Sequence, residues 1–163
     1  GKDITHNIDS AAYILGDEGS GSYIGKKLLT DFIRGLMPKD VADVFYETYK
    51  LTPDEIMDNV YTKPLANRFC ASFSKFVYDN NVNIQYTRKI VDDAFEAFFN
   101  NLVSKYPDYQ SFTFNCIGSV GYNFRNVLEE KANQYGMKVG KILRSPIDDL
   151  VQFHINRSKT TAN

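Results

Sequence analysis

The residues most able to do chemistry stand close together in GDEGSGSYIG, at positions 16–25. Gly16 and Gly21 have the glycine spacing of a Walker A phosphate loop, but Ser22 and Tyr23 stand where that motif has Lys and then Ser or Thr. An Asp–Glu pair between the first two glycines would also repel a polyphosphate, since two like charges about 4 Å apart cost roughly 4 kcal/mol at a dielectric of about 20. The spacing therefore argues against a direct phosphate cradle.

Asp17 and Glu18 are better suited to a neutral ligand that is rich in hydroxyl groups. Carboxylates accept hydrogen bonds from hydroxyl groups, and they also bind hydrated Mg²⁺. The flanking glycines allow a sharp turn and a close approach of the backbone to a ligand. A purely structural alternative stays open, because the helix dipole favours acidic residues at the start of a helix.

A second candidate site lies in FNCIGSVGYNF, at positions 114–124. The pattern predicts a strand over 111–117 that delivers Gly118 and Ser119 to the first turn of a helix. Free N–H groups and the dipole at a helix start favour an anion or the edge of a nucleotide. Because many strand-to-helix turns contain glycine, the motif alone leaves a plain turn open as the alternative.

The histidines and cysteines lack partners in the sequence pattern. His6 lies in a poorly patterned segment, and His154 stands late in the last predicted helix. Cys70 and Cys116 are isolated in apolar surroundings, and neither belongs to a C-x-x-C pair. Isolated thiols are typical of structural cysteines in a reducing compartment, so a cytoplasmic location and no metal site are predicted.

Three segments must position the two motifs. Residues 10–36 are expected to form a short strand at 10–15, a turn and a helix, with Asp31 on the solvent face of that helix. A helical layer is predicted over 37–106. Strand, helix, strand and helix over 111–157 indicate a parallel βαβ unit with a further helix after it. The expected fold class is therefore α/β, with a large helical layer and a βαβ end.

Finer predictions concern the helices. Within the helical layer, long helices are expected over 64–79 and 84–106. Between the layer's shorter helices, the TPDE stretch that begins at Thr52 predicts a capping box. Residues 125–131 are interpreted as a solvated helix face.

Bulk composition excludes several classes of protein. The chain has 163 residues and a net charge of −1, with 43% hydrophobic residues. This length suits one domain, and the near-neutral charge argues against a general nucleic-acid surface. No apolar run approaches the roughly 20 residues that a membrane span needs. Neither a nucleic acid nor a membrane is therefore predicted as a partner.

Taken together, the two glycine motifs and the helices between them resemble the carboxy-terminal half of a known family, the N-acetylglucosamine kinases and BadF/BadG-type ATPases. The resemblance rests on LGDEGSG before a long helix and on IGSVGYNF after a strand, and it covers most of residues 10–157. It implies an actin-like, ribonuclease H-like ATPase fold. Residues 1–163 would then be a single domain, the second of a two-domain kinase. The first domain, with a phosphate-binding turn and the catalytic base, would lie outside this sequence.

The resemblance also implies two sets of binding residues, and it places no catalytic or metal-binding residue in this chain. The set on the sugar side is Gly16, Asp17 and Glu18. The set on the nucleotide side is Gly118, Ser119, Val120, Ser145 and Pro146. The implied ligands are ATP, Mg²⁺ and a small-molecule sugar. The implied partner is the amino-terminal domain of the same protein, and a homodimer is compatible with this interpretation.

The activity that the resemblance implies is ATP-dependent phosphorylation of N-acetylglucosamine or a related hexose by the full-length protein, with this chain alone inactive. One alternative is a BadF-type ATPase that activates a dehydratase. Those relatives hold an iron–sulfur cluster through glycine-flanked cysteines, a setting that Cys70 and Cys116 lack. The other alternative is a non-catalytic interaction or regulatory module. It is kept open because the chain has no Trp, which the family carries just before GDEG, and reads IDDLVQ in the last helix.

Overall fold

The computed structural model describes residues 6–79, 82–147 and 150 of the chain. These residues form an α/β fold that consists mostly of helices, with one pair of parallel strands. The helices before the sheet are α1 (Ala12–Leu15), α2 (Gly21–Ile33), α3 (Lys39–Tyr49), α4 (Pro53–Tyr61), α5 (Ala66–Ser72), α6 (Ser74–Asp79) and α7 (Ile84–Asn101). The remaining elements are β1 (Thr113–Ile117), α8 (Ser119–Asn123), α9 (Arg125–Gln134) and β2 (Lys138–Leu143).

The βαβ unit predicted for the later part of the chain is confirmed. β1 pairs with β2 in parallel, with Thr113 opposite Lys138 and Ile117 opposite Leu143. Helices α8 and α9 make the connection between the two strands. Because the strands are parallel, their carboxyl ends lie at the same edge of the sheet, where ligands of α/β proteins commonly bind.

Helix α2 packs closely against α5. A Cβ atom at Gly25 would lie 1.8 Å from the carbonyl oxygen of Cys70, so only glycine fits at this crossing. Around it lies a core of fully buried side chains, each of which stabilises the fold by about 1.5–3 kcal/mol. The largest of them are Phe45, Phe73, Phe76, Phe99, Ile24, Leu28 and Ile56.

The capping box predicted at the start of α4 is present. The Thr52 hydroxyl accepts a hydrogen bond from the Glu55 N–H at 3.3 Å, and the Glu55 carboxylate accepts one from the Thr52 N–H at 2.8 Å. Pro53 occupies the first helical position, where its missing N–H costs nothing. These bonds are local, and the sequence pattern was sufficient to predict them.

The strand predicted within residues 10–15 is wrong. Ala12–Leu15 form a single helical turn, α1, and the side chains of Ile14 and Leu15 are 73% and 85% exposed. A strand persists only when it pairs with another strand. In the described part of the chain the sheet contains β1 and β2, and neither pairs with this segment.

Two long helices in the predicted layer are interrupted. The helix expected over 64–79 is divided into α5 and α6 at Phe73, whose N–H bonds to the carbonyl of Cys70, three residues back. The helix expected to reach residue 106 ends at Asn101 and is followed by a 3₁₀ turn, Val103–Lys105. Neither break carries a Gly or Pro, so periodicity alone could not locate it.

Asp31 is not on a solvent face, contrary to the prediction. Its side chain is buried, and the Lys27 ammonium group and the Tyr86 hydroxyl donate hydrogen bonds to its two carboxylate oxygens at 2.7 and 3.0 Å. Burial and the charge of Asp31 raise the pKa of Tyr86, so the phenol remains a donor. A buried carboxylate is tolerated here because both oxygens are paired.

The helix face over 125–131 is not wholly solvated either. Lys131 is buried, and its ammonium group donates to Glu96 at 2.8 Å and to Asp92 at 3.1 Å on α7. Burial alone would lower the pKa of Lys131, but these carboxylates outweigh it and raise the pKa. The ion pairs attach α9 to α7, which sequence periodicity did not indicate.

The helix predicted from residue 145 onward falls mostly outside the described residues. At its start, the Ser145 hydroxyl accepts a hydrogen bond from the Ile147 N–H at 3.3 Å. The Leu150 N–H donates to the Pro146 carbonyl at 2.9 Å, as in the first turn of a helix. His154 also lies outside the described residues.

Candidate functional site

The first glycine turn (residues 16–21) is held by hydrogen bonds within the turn. The backbone of Asp17 is left-handed, with φ of 68°, and its N–H donates to the Ser10 carbonyl at 3.1 Å. The Ser20 hydroxyl donates to Asp17 Oδ2 at 2.8 Å and accepts from the Tyr23 N–H at 3.1 Å. Ser20 therefore caps α2 and holds the Asp17 carboxylate at the same time. A Cβ at Gly16 would lie 2.1 Å from the Ser10 carbonyl oxygen, so this position requires glycine.

Helix α7 supports the first glycine turn from one side. The Asn101 side chain at the end of α7 donates to Glu18 Oε1 at 2.9 Å. A Cβ at Gly19 would lie 3.1 Å from the Cβ of Phe98, so this part of the turn rests directly on the helix. The turn is thus positioned by its own side chains and by a helix distant in sequence.

The second glycine turn (residues 118–121) joins β1 to α8. The Gly118 N–H donates to the Leu143 carbonyl at the end of β2 at 2.9 Å. Gly118 has φ of 149°, a conformation confined to glycine, and nothing lies within 4 Å of where a Cβ would stand. α8, a helix of five residues, begins at Ser119 without a side-chain cap, so its first N–H groups have no partner from a capping side chain.

The two glycine turns line one cleft of about 370 Å³, a volume within the range of small-molecule sites. A Cβ at Gly21 would lie 3.5 Å from Val120 Cγ2, which shows how closely the turns approach. The remaining lining is largely apolar and includes Phe95, Phe98, Phe114, Ile117 and Leu128. A largely apolar lining with a few polar groups is typical of clefts that bind small molecules.

The structure brings some of the predicted site residues together and leaves others apart. Those that line the cleft are Glu18, Gly118, Ser119 and Val120. Gly16 and Asp17 do not line the cleft; they lie directly before Glu18 in the first turn. Ser145 and Pro146 are exposed and lie outside the cleft lining.

The cysteine thiols are poor candidates for reactive groups. Burial raises the pKa of Cys70 and Cys116, which keeps both thiols protonated. Cys70 lies under Gly25 in the core, and Cys116 lies behind Gly121, where a Cβ would be 2.5 Å from its sulfur. Within residues 6–79, 82–147 and 150, no group of three or more His, Cys, Asp or Glu could hold a metal ion.

A larger cavity of about 530 Å³ lies between the start of α7 and the junction of α8 and α9. Its cations already have partners, since Arg88 pairs with Glu130 and Arg125 lies 5.5 Å from the ring centre of Tyr122. None of the predicted site residues lines it. We therefore take the cleft between the glycine turns as the candidate site.

Sequence reasoning missed two residues that shape the cleft, Ser20 and Asn101. Ser20 could have been found, because a serine before a helical pattern is a common cap. Asn101 carried no signal, because its contact with Glu18 spans 83 positions in the sequence.

The βαβ unit carries, at the carboxyl end of β1, a cleft of the size that small-molecule sites have, as is common in α/β proteins. No protein-family model and no curated protein matches the sequence. In structure, the chain is similar to the crystal structure of the putative N-acetylglucosamine kinase from Porphyromonas gingivalis. The two are 35% identical with a TM-score of 0.88, and the match covers 96% of this chain and 54% of that one.

The chain therefore shares the fold of part of that kinase and spans about half of its length. This similarity supports the kinase-family fold that the two glycine motifs predicted. The actin-like assignment and the division into domains stay predictions. Each helix in the described part of the chain is too short or too polar to span a lipid bilayer.

Proposed function

We propose that this chain forms the sugar-facing and nucleotide-facing wall of an ATP-dependent sugar kinase that acts on N-acetylglucosamine or a related hexose. The observation that carries the proposal is the cleft in which the two glycine turns meet. The structural similarity to a putative N-acetylglucosamine kinase supports the same activity class. In this proposal the rest of the kinase, including the catalytic base, lies outside these 163 residues.

On the sugar side, Asp17 would accept a hydrogen bond from a hydroxyl group of the acceptor. Ser20 already occupies Asp17 Oδ2, and no described residue donates to Oδ1, which leaves that oxygen for the ligand. Glu18 and Gly16 would support this contact by holding the turn. A neutral sugar suits this side because carboxylates accept hydroxyl protons and repel phosphate.

On the nucleotide side, Gly118, Ser119 and Val120 would seat ATP. The open space at Gly118 lets a ligand approach the backbone, and the uncapped start of α8 offers N–H donors to an anion or a nucleotide edge. These features fit the nucleotide. Ser145 and Pro146 stay a proposal for the adenine side, since they lie outside the cleft lining.

Mg²⁺ would enter as part of the MgATP substrate, where it neutralises phosphate charge. No residue of this chain is assigned to it. The chain's own contribution is to orient the acceptor hydroxyl and the nucleotide and to exclude water from between them. Positioning of this kind supplies most of the catalysis in phosphoryl transfer.

The test is an assay of the full-length gene product for sugar-dependent formation of ADP from MgATP. We expect turnover with N-acetylglucosamine or a related hexose, and we expect Asp17→Asn to lower kcat/KM for the sugar about 100-fold, since a hydrogen bond to a charged group contributes about 1.5–3 kcal/mol. Asp43→Asn is the matched control, because Asp43 is an exposed carboxylate on α3 that pairs with Lys39. It should leave the kinetics unchanged.

Two outcomes would overturn this function. Calorimetry that detects no binding of sugar or of an ATP analogue would favour a non-catalytic module. Iron in the purified full-length protein would favour the dehydratase-activating ATPase. Cys70 is buried and Cys116 is partly buried, and the raised pKa of both thiols keeps them protonated, which does not favour that second outcome.

A further inference from the structure

We propose that Ser20 is a positioning residue, which orients the Asp17 carboxylate toward the acceptor sugar through the same hydroxyl that caps α2. This inference rests on the proposed function, because it concerns how the acceptor contact is held. Nothing in the comparisons with known proteins assigns a role to Ser20. The hydroxyl would act through Asp17 and would not touch the reacting atoms.

The Ser20 hydroxyl makes two hydrogen bonds at the same time, as an acceptor in one and as a donor in the other. Its lone pair accepts the Tyr23 N–H at 3.1 Å, and its proton is donated to Asp17 Oδ2 at 2.8 Å. A hydroxyl has a single proton, so the proton that goes to Asp17 is not available to any other acceptor. Because the acceptor is a carboxylate, the bond is charge-assisted and stronger than a neutral hydroxyl bond.

The backbone around Asp17 is fixed independently of this bond. The Asp17 N–H is bonded to the Ser10 carbonyl, and the Asp17 carbonyl accepts from the Ser20 N–H, both at 3.1 Å. The remaining freedom of Asp17 is the rotation of its side chain. Ser20 removes that freedom by holding Oδ2, so that Oδ1 points in one direction for a ligand.

A second cap in the same chain has the same chemistry away from the cleft. The Thr52 hydroxyl accepts the Glu55 N–H at 3.3 Å and donates to Glu55 Oε2 at 2.8 Å. Neither residue lines the cleft. Thr52→Ala therefore removes a comparable cap and carboxylate bond without affecting the acceptor site, which makes it a matched control.

The experiment measures KM for the sugar and for ATP in the full-length protein and its variants. Ser20→Ala should raise KM for the sugar about tenfold, as expected when a hydrogen bond to a charged group is lost, and leave KM for ATP within about twofold. Ser20→Thr keeps the hydroxyl and should restore the wild-type KM. Thr52→Ala should lower Tm by about 2–4 °C and leave both KM values within about twofold of wild type.

If Ser20→Ala fails to fold, Ser20→Gly replaces it. Glycine costs a helix start only a few tenths of a kcal/mol relative to a serine cap and has no hydroxyl, so KM for the sugar should still rise about tenfold. An unchanged sugar KM in a folded Ser20 variant, with Asp17→Asn impaired, would overturn this inference and leave the proposed function standing. A wild-type protein without sugar-dependent turnover would overturn both.

Discussion

The first and second glycine turns line the same cleft, but different bonds hold them. In the first turn, side chains supply the bonds, since Ser20 holds Asp17 and caps α2 while Asn101 holds Glu18. In the second, the backbone of Gly118 is bonded to β2, and no side chain caps α8. The first turn therefore presents a carboxylate in a fixed direction, whereas the second presents backbone donors that have no partner within the helix.

Glycine serves a different purpose in each turn. At Gly16 the reason is space, because a Cβ would stand 2.1 Å from the Ser10 carbonyl oxygen. At Gly118 the reason is the backbone angle, because the surrounding space is open. Both positions are glycine in the sequence motifs, although Gly16 lets the chain pack tightly and Gly118 leaves room for a ligand.

The largest expected effect of close packing is at Gly25, in helix α2, which follows the first turn. Gly25→Ala would place a Cβ 1.8 Å from the Cys70 carbonyl oxygen, and this backbone atom cannot move aside as a side chain can. We expect the free energy of unfolding to fall by about 3 kcal/mol, measured by urea denaturation. Gly21→Ala is the control, since its nearest neighbour is the rotatable Ser74 hydroxyl at 3.1 Å. Equal losses in the two variants would contradict the prediction.

The open side of the comparison is tested at Gly118. Gly118→Ala meets no neighbour within 4 Å, so its expected cost of about 1–2 kcal/mol is backbone strain alone. If the second turn seats the nucleotide, KM for ATP should also rise about fivefold, equivalent to roughly 1 kcal/mol. Gly35→Ala is matched to it, with φ of 65° and open space but a position outside the cleft. A similar rise in KM for ATP in Gly35→Ala would show that the effect of Gly118→Ala is not specific to the second turn.

Lys131 tests the ion pairs that join α9, which follows the second turn and α8, to α7, which supports the first turn. Hydrogen bonds from Lys131 and Tyr135 lower the pKa of Glu96. Burial acts to lower the pKa of Lys131, but the carboxylates of Glu96 and Asp92 outweigh burial and raise it. A lowered acid pKa adds stability above the ordinary value of 4.5, and a raised lysine pKa adds stability below 10.5. Lys131→Met should therefore cost most between these pH values. Because Glu96 is half exposed, we expect a loss of only about 1 kcal/mol there.

Urea denaturation at about pH 3.5, 7 and 11 measures the pH range in which the Lys131 ion pairs stabilise the fold. These pH values lie below, between and above the two ordinary pKa values. The difference between wild type and Lys131→Met should be largest near neutral pH and smaller at both extremes. Lys89→Met is the control, because Lys89 pairs with Asp93 on the exposed face of the same helix, α7. A difference that does not vary with pH would show that Lys131 acts through packing alone.

Local signals in the sequence were reliable where their partners are also local. The capping box of Thr52 and Glu55 lies within one helical turn and is present as predicted. The strand and turn at Gly118 follow from a run of phenylalanine and β-branched residues that ends in glycine, and the parallel pairing with β2 follows from the helix between the strands. The strand expected at residues 10–15 failed because an apolar run alone does not supply a neighbouring strand.

Short-range chemistry thus predetermined the capping box at Thr52 and the sharp bends at the two glycine motifs, because each depends on residues a few positions apart. The helical pattern between β1 and β2 predetermined their parallel pairing. Tertiary packing decided that the turns meet in one cleft, that Asn101 reaches Glu18, and that Asp31 and Lys131 are buried with partners on other helices. The residue type of a charged side chain does not show whether the side chain is solvated or buried. It is buried only where an element distant in sequence supplies a partner that offsets the free-energy cost of removing the charge from water.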